Sequence, residues 1–242
     1  MKQQSLLITG ATSGIGLALA RQFSSAGHQV IITGRDGAKL EGVAHELGCR
    51  TFLADSADLA QLQRMAETLA GEGVRLDGLV LNAGVFHPRH FTDLSEADFD
   101  LTMAINAKGP LFTLQALLPC LANPSSVVFV SSIAVDRGFA GCSVYAASKA
   151  AAEAYIRVAN MELAERGIRI NSVRPGVTAT EIQGKAGLSE ARQAELFASL
   201  TTTPIGRVLT PDDQLGAIAF LLSDASLAMR NAIIEVDGGY LL

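Results

Sequence analysis

The stretch TGATSGIG at residues 9–16 decides the fold. It follows QSLLIT (4–9), a short apolar run that indicates a buried strand, and it precedes LALARQFSSAG (17–27), which has the pattern of an amphipathic helix. Strand, glycine turn and helix in that order are typical of a unit that binds a dinucleotide. A glycine-rich turn alone is often only a loop, so the prediction depends on these flanking elements and on the second strand, QVIITG (29–34).

The three glycines of this turn have separate roles in such a unit. Gly10 permits the tight turn, Gly14 lets the backbone approach a pyrophosphate, and Gly16 allows the helix to pack closely on the strand. The phosphates would lie at the N-terminus of the helix, where unpaired N–H groups and the helix dipole favour anions.

Strands and helices alternate along the rest of the chain. Further strands are predicted over 29–35, 49–55, 76–84, 125–132, 168–176 and 232–239. Helices are predicted over 38–47 and 57–69, from the Ser95/Asp98 capping box to Leu118 with a bend at Gly109-Pro110, through Tyr145 and Lys149, and from Thr210 to Ser223. Seven strands separated by six helices predict one α/β domain over 1–242, a Rossmann-type doubly wound parallel sheet with helices on both faces.

One segment, 181–206, breaks this alternation. It follows the end of a strand, and ligands of such folds bind outside the carboxyl ends of the strands. We interpret the segment as a substrate lid; the alternative is a helical surface insert without a function of its own.

Composition limits the classes of function. Of the 242 residues 49% are hydrophobic and 18% charged, which is typical of a globular chain with a large interior. The net charge of −5 argues against a nucleic-acid partner, and no apolar run approaches the ~18 residues that a membrane span needs. MKQQSLLITG leads directly into the first strand without a signal peptide, so a cytoplasmic location is expected. Cys49, Cys120 and Cys142 are odd in number and lack CxxC spacing, which favours reduced thiols.

Tyr145, Lys149 and Ser132 form the candidate chemical group. Tyr145 and Lys149 stand one helical turn apart and so share a face, and Ser132 ends an apolar strand. A phenol with its ordinary pKa of about 10 is a poor base at neutral pH, and a neighbouring ammonium lowers that pKa. Ser132 could hold the reacting oxygen by a hydrogen bond. The alternative, that Tyr145 and Lys149 merely occupy an Ala-rich helix, is disfavoured by the glycine turn that accompanies them.

These motifs together resemble the short-chain dehydrogenase/reductase family. The resemblance is carried by TGATSGIG (9–16), LNAG (81–84), Asn106 in INAKG, Ser132 in VSSIA, YAASK (145–149) and PGVTAT (175–180), which fall in the family's order and cover nearly the whole chain. The pattern TGxxxGxG is that of the short, single-domain branch. The implied function is an NAD(P)(H)-dependent oxidoreductase that interconverts a ketone or aldehyde and an alcohol by hydride transfer.

The resemblance also implies roles for the catalytic residues. Tyr145 exchanges a proton with the substrate oxygen, Ser132 holds that oxygen, and Lys149 lowers the pKa of Tyr145 and binds the nicotinamide ribose. Asn106 lies in the middle of a predicted helix, where its side chain competes with the backbone. It is expected to help hold a water that links Lys149 to solvent, and the alternative is a helix-bend residue packed against Pro110.

A larger set of positions is implied to bind the cofactor. They are Gly10, Thr12, Ser13, Gly14, Ile15, Gly16, Arg35, Asp55, Asn82, Ala83, Gly84, Tyr145, Lys149, Pro175, Gly176, Val177 and Thr180. Gly34 occupies the position where an acidic residue would bind the ribose of NAD, and Arg35 follows it. NADP(H) is therefore favoured over NAD(H), although Asp36 is close by and Ser13 is not the basic residue that some NADP-preferring relatives carry.

The substrate is less defined by the sequence. A ketone or secondary alcohol with a hydrophobic flank is favoured, with a steroid, a sugar, an acyl thioester and a xenobiotic carbonyl all left open. The expected pocket residues are mostly apolar: Ile133, Val135, Asp136, Phe139, Cys142, Val177, Ile182, Leu188 and Phe197. Asp136 could bind a hydroxyl or amine or could face water. His87 and His90 lack accompanying ligands at metal spacing, so a loop at the pocket rim is favoured and no metal site is expected.

Assembly and other classes of function complete the expectations. The Ala-rich helix over 143–165 permits close approach of another helix, and in relatives such helices pair across a two-fold axis. A homodimer or homotetramer is expected, with YLL (240–242) at a second interface. A catalytically silent dinucleotide-sensing regulatory protein remains the alternative, although it would be expected to lose Ser132, Tyr145 or Lys149. A lyase or epimerase would usually carry a larger substrate domain.

Overall fold

Seven parallel strands form one sheet in the computed structural model of the chain, which describes residues 3–242. The strands are β1 Ser5–Ile8, β2 Gln29–Gly34, β3 Arg50–Leu53, β4 Leu76–Leu81, β5 Leu121–Val130, β6 Ile168–Pro175 and β7 Ile233–Val236. Their order across the sheet is β3-β2-β1-β4-β5-β6-β7, and every neighbouring pair is parallel. This confirms the predicted doubly wound, Rossmann-type sheet. Met1 and Lys2 of the predicted domain lie outside the described residues.

The helices occupy the connections between the strands. They are α1 Gly14–Ser25, α2 Gly37–Leu47, α3 Leu59–Gly71, α4 Glu96–Met103, α5 Gly109–Leu117, α6 Ser143–Glu162, α7 Ile182–Lys185, α8 Glu190–Ser199 and α9 Pro211–Leu222. The predicted capping box opens α4 at Ser95, and the helix predicted from Thr210 begins there as α9. Segment 181–206 holds the two short helices α7 and α8 and a 3₁₀ turn. No helix among residues 3–242 has both the length and the apolar character needed to cross a bilayer.

Two apolar cores lie on opposite faces of the sheet. Side chains alternate along a strand, so Leu7 of β1 joins one core while Leu6 and Ile8 join the other. The core around Leu7 is covered by α3, α5 and α6, and the core around Leu6 and Ile8 by α1, α2 and α9. Fully buried strands covered on both faces explain the continuous apolar runs in the sequence.

The long helix predicted from Ser95 to Leu118 is divided in the structure. A π-turn, Ala104–Lys108, separates α4 from α5, and within it the N–H of Gly109 donates to the carbonyl of Ala104, five residues earlier. Pro110 has no N–H to give to the carbonyl of Asn106, so the α-helical pattern fails at this point. The irregularity therefore lies one turn before the predicted bend at Gly109-Pro110.

The order of the strands places a binding cleft. After β1 the chain adds β2 and β3 on one side, and then returns to add β4 on the other side. The carboxyl ends of β1 and β4 are adjacent, since Ile8 pairs with Val80 and the N–H of Thr9 donates to the Val80 carbonyl. A crevice opens where the strand order reverses in this way, and it is the usual ligand site of such sheets.

Candidate active site

A cavity of about 460 Å³ lies at the carboxyl ends of the strands. Of the predicted site residues, those that line it are Gly10, Thr12, Ser13, Gly14, Ile15, Arg35, Asp55, Asn82, Ala83, Gly84, Ser132, Tyr145, Lys149, Pro175, Gly176, Val177 and Thr180. Gly16 and Asn106 lie behind the wall. Residues from the glycine turn, five further strand ends, α6 and segment 181–206 therefore surround one space.

The glycine turn is held against the end of β4. Gly10 has a φ of 63°, in the left-handed region, and a Cβ there would lie 2.8 Å from the Ala83 Cα. A Cβ on Gly16 would lie 2.5 Å from the Asn82 side-chain nitrogen, which donates to the carbonyls of Thr9 (2.9 Å) and Gly10 (3.1 Å). No larger side chain fits at either glycine without moving this strand end.

The N-terminus of α1 faces the cavity with its first N–H groups. Ser13 has extended backbone geometry at the N-cap position and makes no side-chain cap hydrogen bond. Gly14 has a φ of 57°, and a Cβ there would lie 3.2 Å from the methyl group of Thr180, so backbone lines this part of the cleft. Uncapped N–H groups, the helix dipole and a cradle that a Cβ would fill suit the pyrophosphate of a dinucleotide.

The end of β2 and segment 181–206 also line the cavity. Gly34 and Arg35 line it, and a Cβ on Gly34 would lie 2.7 Å from the methyl carbon of Thr12. Asp36 instead caps α2 by accepting from the N–H of Lys39 (3.1 Å). The Asp36 carboxylate is therefore bound to the N-terminus of α2, while the neighbouring Arg35 lines the cleft.

Segment 181–206 adds a second cation at this end, which no sequence motif indicated. The Lys185 ammonium donates to the Ser13 hydroxyl (3.2 Å) and pairs with Glu181 (3.1 Å), which also pairs with Lys39 of α2 (2.7 Å). Hydrogen bonds from Lys39 and Lys185 lower the pKa of Glu181. Sequence spacing could not place Lys185 beside Ser13, because the two are 172 residues apart.

Tyr145 lies at the inner end of the cavity, on the first turns of α6. Its ring meets the ring of Phe86 edge to face with 5.1 Å between centroids. Burial raises the pKa of the Tyr145 phenol, and the facing Ser132 hydroxyl acts in the opposite direction. Desolvation of the phenolate is the largest effect on this pKa, so its net shift is upward and not downward as the spacing of Tyr145 and Lys149 predicted.

Lys149 is buried one turn further along α6. Its ammonium donates to the Val130 carbonyl (2.8 Å) and lies 5.0 Å from the centroid of the Phe129 ring. Burial lowers the pKa of Lys149 to about 8, and the Glu153 carboxylate opposes that shift. The ammonium is therefore held by backbone and by a ring face at the end of β5.

Asn106 lies in the π-turn and is fully buried. Its side chain accepts from the N–H of Val85 (2.8 Å) and donates to the carbonyl of Val85 (2.9 Å) and to the Ser148 hydroxyl (3.2 Å). A Cβ on Gly84 would lie 3.3 Å from both the Asn106 side-chain oxygen and the Lys149 ammonium, so these two groups flank Gly84. The Asn106 side chain therefore bonds to Val85 and Ser148, which differs from the alternative of a helix-bend residue packed against Pro110.

The substrate end differs in part from the prediction. Ile133, Phe139, Cys142, Val177 and Ile182 line the cavity, whereas Val135, Asp136, Leu188 and Phe197 do not. Asp136 pairs instead with Arg174 behind the wall. On α8 it is Leu196 that faces the cavity, one position before Phe197, because neighbouring helical residues point about 100° apart.

Several lining residues were absent from the prediction. They include Phe86, Gln183, Leu196 and Tyr240. Tyr240 packs on Phe139 with ring centroids 5.8 Å apart, and the Arg137 guanidinium lies 5.1 Å from the Tyr240 centroid. Tyr240, predicted from the sequence only at a second subunit interface, therefore also forms part of the cavity wall.

The histidines and cysteines also separate into different environments. His87 lines the cavity, while His90 accepts from the N–H of Thr92 (3.4 Å) in a short 3₁₀ turn. Cys142 is buried beside Tyr145, and burial raises the pKa of its thiol. Within residues 3–242 no three His, Cys, Asp or Glu side chains are grouped in a way that could hold a metal ion.

The fold and the cavity are those of a dinucleotide-binding protein, and similar proteins specify its family and its chemistry. A family model described as "Enoyl-(Acyl carrier protein) reductase" matches residues 10–241. D-threitol dehydrogenase of Mycolicibacterium smegmatis is 33% identical over 97% of this chain and 91% of its own length. L-xylulose reductase of Bos taurus is 32% identical over 97% and 95%.

A solved structure agrees. A short-chain dehydrogenase/reductase from Brucella melitensis, titled glucose/ribitol dehydrogenase, superposes with a TM-score of 0.90 at 30% identity, covering 98% of this chain and 96% of its own. The chain belongs to the short-chain dehydrogenase/reductase family. It is accordingly an enzyme of CH–OH and C=O groups that uses NAD(P)(H).

Proposed function

We propose that this enzyme reduces a carbonyl compound with Tyr145 as the proton donor and with Ser132 holding the substrate oxygen. The observation that carries the proposal is that both hydroxyls and the buried Lys149 ammonium meet in one cavity with the glycine turn. NAD(P)(H), when bound, supplies the hydride. The raised pKa of Tyr145 keeps the phenol protonated near neutral pH, which suits a general acid.

Lys149 and Asn106 support this proton transfer. At pH 7 a pKa of about 8 leaves Lys149 mostly as the ammonium, which stabilises the tyrosinate that forms when Tyr145 gives up its proton. Asn106 and Lys149 flank Gly84, and we infer that a water beside Asn106 returns a proton from solvent to this pair. Pro110 supports this role, because it leaves the Asn106 carbonyl without its usual helical partner.

NADP(H) is the proposed cofactor in preference to NAD(H). Arg35 and Lys185 bring cations to the end of the cavity where the ribose would lie, and the Thr12 methyl blocks a carboxylate at position 34. Asp36 caps α2. A ribose 2′-phosphate would thus meet positive charge, while the Asp36 carboxylate beside Arg35 is held at the N-terminus of α2.

The proposed substrate is a small ketone or aldehyde with an apolar flank. The inner end of the cavity is walled by four apolar side chains: Phe86, Phe139, Ile182 and Leu196. Segment 181–206 contributes two of these, which supports its role as a substrate lid in a single domain. A polyol or ketose is a second candidate, because His87 and Tyr240 place polar groups in the same wall and two relatives are named for threitol and xylulose.

The test follows nicotinamide absorbance over a panel of ketones, aldehydes, ketoses and secondary alcohols, with NADPH and NADH run in parallel. Tyr145→Phe is expected to lower turnover by roughly 10²–10⁴-fold, the usual loss for a general acid, while NADPH still binds by fluorescence titration. Tyr155→Phe is the matched control, since Tyr155 lies on the same helix with an exposed ring.

Each outcome decides a separate point. Equal turnover in wild type and Tyr145→Phe would disprove the assigned proton donor. Better turnover with NADH would disprove the cofactor preference alone. Cofactor binding without turnover of any substrate in the panel would favour the catalytically silent sensor.

We also propose a homo-oligomer in the cytoplasm. The outer faces of α4 and α6 expose large apolar side chains, with Phe99 at 46%, Val158 at 52% and Met161 at 77% exposure. Such a surface favours association with a second copy. The three cysteines are free thiols, which fits a reducing compartment.

A further inference from the structure

Glu153 extends the face of α6 that carries the reaction. It lies four residues after Lys149 and eight after Tyr145, so the three side chains follow one another along a single helix face. Glu153 is buried, and a buried carboxylate needs partners. Arg174 of β6 supplies them with two parallel bonds, from Nε to Oε1 (2.9 Å) and from Nη2 to Oε2 (2.7 Å).

The end of β5 meets this face with three consecutive residues. The Val130 carbonyl accepts from Lys149 (2.8 Å), the Ser131 hydroxyl donates to Glu153 (2.5 Å), and the Ser132 hydroxyl faces Tyr145. Two of these three contacts belong to the reaction described above. The contact of Ser131 with Glu153 does not, yet it lies on the strand between them.

Arg174 connects this contact to the rest of the cavity wall. Besides Glu153 it pairs with Asp136, at the beginning of the loop that leads to α6, and with Glu235 of β7 (3.3 Å). It also directly precedes Pro175, which lines the cavity. One guanidinium therefore joins α6 to two strands and to the loop before the helix.

We propose that Glu153 and Arg174 are positioning residues, which fix the position of α6 along β5 so that Tyr145 and Lys149 meet Ser132. In addition, the Glu153 carboxylate keeps the Lys149 ammonium charged. This inference rests on the proposed function. Its electrostatic part follows from the position of a carboxylate one turn below a buried ammonium.

Few titratable groups surround Lys149 among the described residues, so the effect of Glu153 on it can be tested by substitution. Within residues 3–242, Glu153 of α6 is the charged group that acts on Lys149. Glu153 is paired with Arg174, which is paired in turn with Asp136 and Glu235. On the cavity side, Tyr145 and Cys142 are the titratable groups at the start of α6. His87 and Asp55 line other parts of the same cavity. Gly84 and Asn106, which face Lys149 from the other side, do not titrate.

The first variant is Glu153→Gln, which keeps the size of the side chain and an acceptor for Ser131. We expect a folded protein, a KM for NADPH within about twofold of wild type, and a kcat for reduction lowered about tenfold or more because the reacting groups lose their alignment. The alkaline limb of the kcat profile should move about one pH unit towards acid, since Lys149 loses a nearby negative charge. Glu46→Gln, in an exposed ion pair with Arg21, is the control and should change none of these values.

A second substitution should shift the alkaline limb of the kcat profile in the opposite direction. Adding Arg174→Gln to Glu153→Gln removes a positive charge as well, so the alkaline limb should return towards its wild-type position even though kcat stays low. A purely structural role would lower kcat equally at all pH values and leave the limb unmoved in both variants, which would overturn the proposal. An unchanged kcat in Glu153→Gln would overturn it as well.

Failure of the proposed function is distinguishable from failure of this inference. If Tyr145→Phe retains turnover, the assigned chemistry is wrong. If Tyr145→Phe is inactive and the limb of Glu153→Gln does not move, only the role of Glu153 and Arg174 is wrong. Thermal melting of each variant confirms that it is folded before the profiles are compared.

Discussion

Gly16 and Gly42 both lie in helices, but their surroundings differ completely. A Cβ on Gly16 would lie 2.5 Å from the Asn82 side-chain nitrogen and 2.9 Å from the backbone of the glycine turn. A Cβ on Gly42, on the exposed side of α2, would meet no atom within 4 Å. The first glycine is required by close packing, while the second only gives the unfolded chain additional freedom.

Alanine substitutions at these two positions should therefore have opposite effects. Gly16→Ala is expected to lower the free energy of unfolding by about 1–3 kcal/mol, the usual cost of overpacking. Gly42→Ala should raise it by about 0.5–1 kcal/mol, because alanine favours a helix interior. Urea unfolding of both variants measures the difference; equal values would show that the contact between the glycine turn and β4 is not tight.

Lys149 gives the native state a pH dependence of its own. Burial lowers its pKa to about 8, whereas an unfolded lysine titrates near 10.4. Between these values the unfolded chain holds a proton that the native protein has released, so the contribution of Lys149 to stability rises with pH. The raised pKa of Tyr145 acts in the other direction only above about 10, the ordinary value for a phenol.

Lys149→Met should remove this dependence. In wild type we expect the Lys149 contribution to the free energy of unfolding to increase from pH 8 to pH 10. Urea unfolding of wild type and of Lys149→Met at each pH measures this contribution as the difference between their free energies of unfolding. The difference should change steadily in favour of wild type as pH rises through this window. A constant difference would contradict the low pKa of Lys149.

At the scale of elements, the π-turn is the feature that most affects the site. It places the Asn106 side chain against the backbone of Val85, at the loop that follows β4. An α-helix through the same residues would rotate this side chain away from the loop, because each π residue adds less rotation than an α residue. The turn therefore links the α4–α5 connection to the wall beside Gly84 and Lys149.

Asn106→Ala tests this link. It leaves the N–H and the carbonyl of Val85 without their partners, and an unsatisfied buried group costs about 1–3 kcal/mol. We expect a loss of that order in urea unfolding, together with a fall in kcat at an almost unchanged KM for NADPH. An unchanged kcat would show that the wall behind Gly84 takes no part in proton transfer.

The elements were predictable where the signal is local. The strands, the glycine turn, the capping box at Ser95 and the helix start at Thr210 follow from residues within a few positions of one another. The division of the helix at 104–108 was not predicted, because Pro110 acts on a carbonyl one turn earlier and the π-turn depends on packing. The ends of strands were also misplaced, since β5 begins at Leu121 and not at residue 125.

The site follows the same rule. Tyr145, Lys149 and Ser132 were found because their spacing is fixed by one helix and one strand end. Lys185 and Tyr240 were missed because they reach the cavity from distant parts of the chain. The raised pKa of Tyr145 was missed because burial is a property of the fold and not of the YxxxK spacing.

At the scale of the whole molecule, the exposed apolar faces of α4 and α6 predict an assembly. Light scattering at micromolar concentration should give twice or four times the 25.3 kDa mass of the chain. Met161→Glu should shift the protein towards the monomer, because it places a charge in an apolar interface. Gln63→Glu, at an exposed position of α3, is the control. A monomeric wild type would disprove the assembly.

The cavity is built from two kinds of chain segment, and this division bears on how such an enzyme changes over generations. The end of β5 and α6 must keep their register, because Val130 and the two residues after it meet three successive turns of the helix. Segment 181–206 is held at its two ends, by Glu181 and Lys185 and by Ile205, while the residues of α8 between them are exposed or half-buried. Substitutions in this segment can therefore accumulate while the residues at the end of β5 and on α6 stay the same. A lineage of such enzymes would then change its substrate specificity through segment 181–206 and keep its reaction.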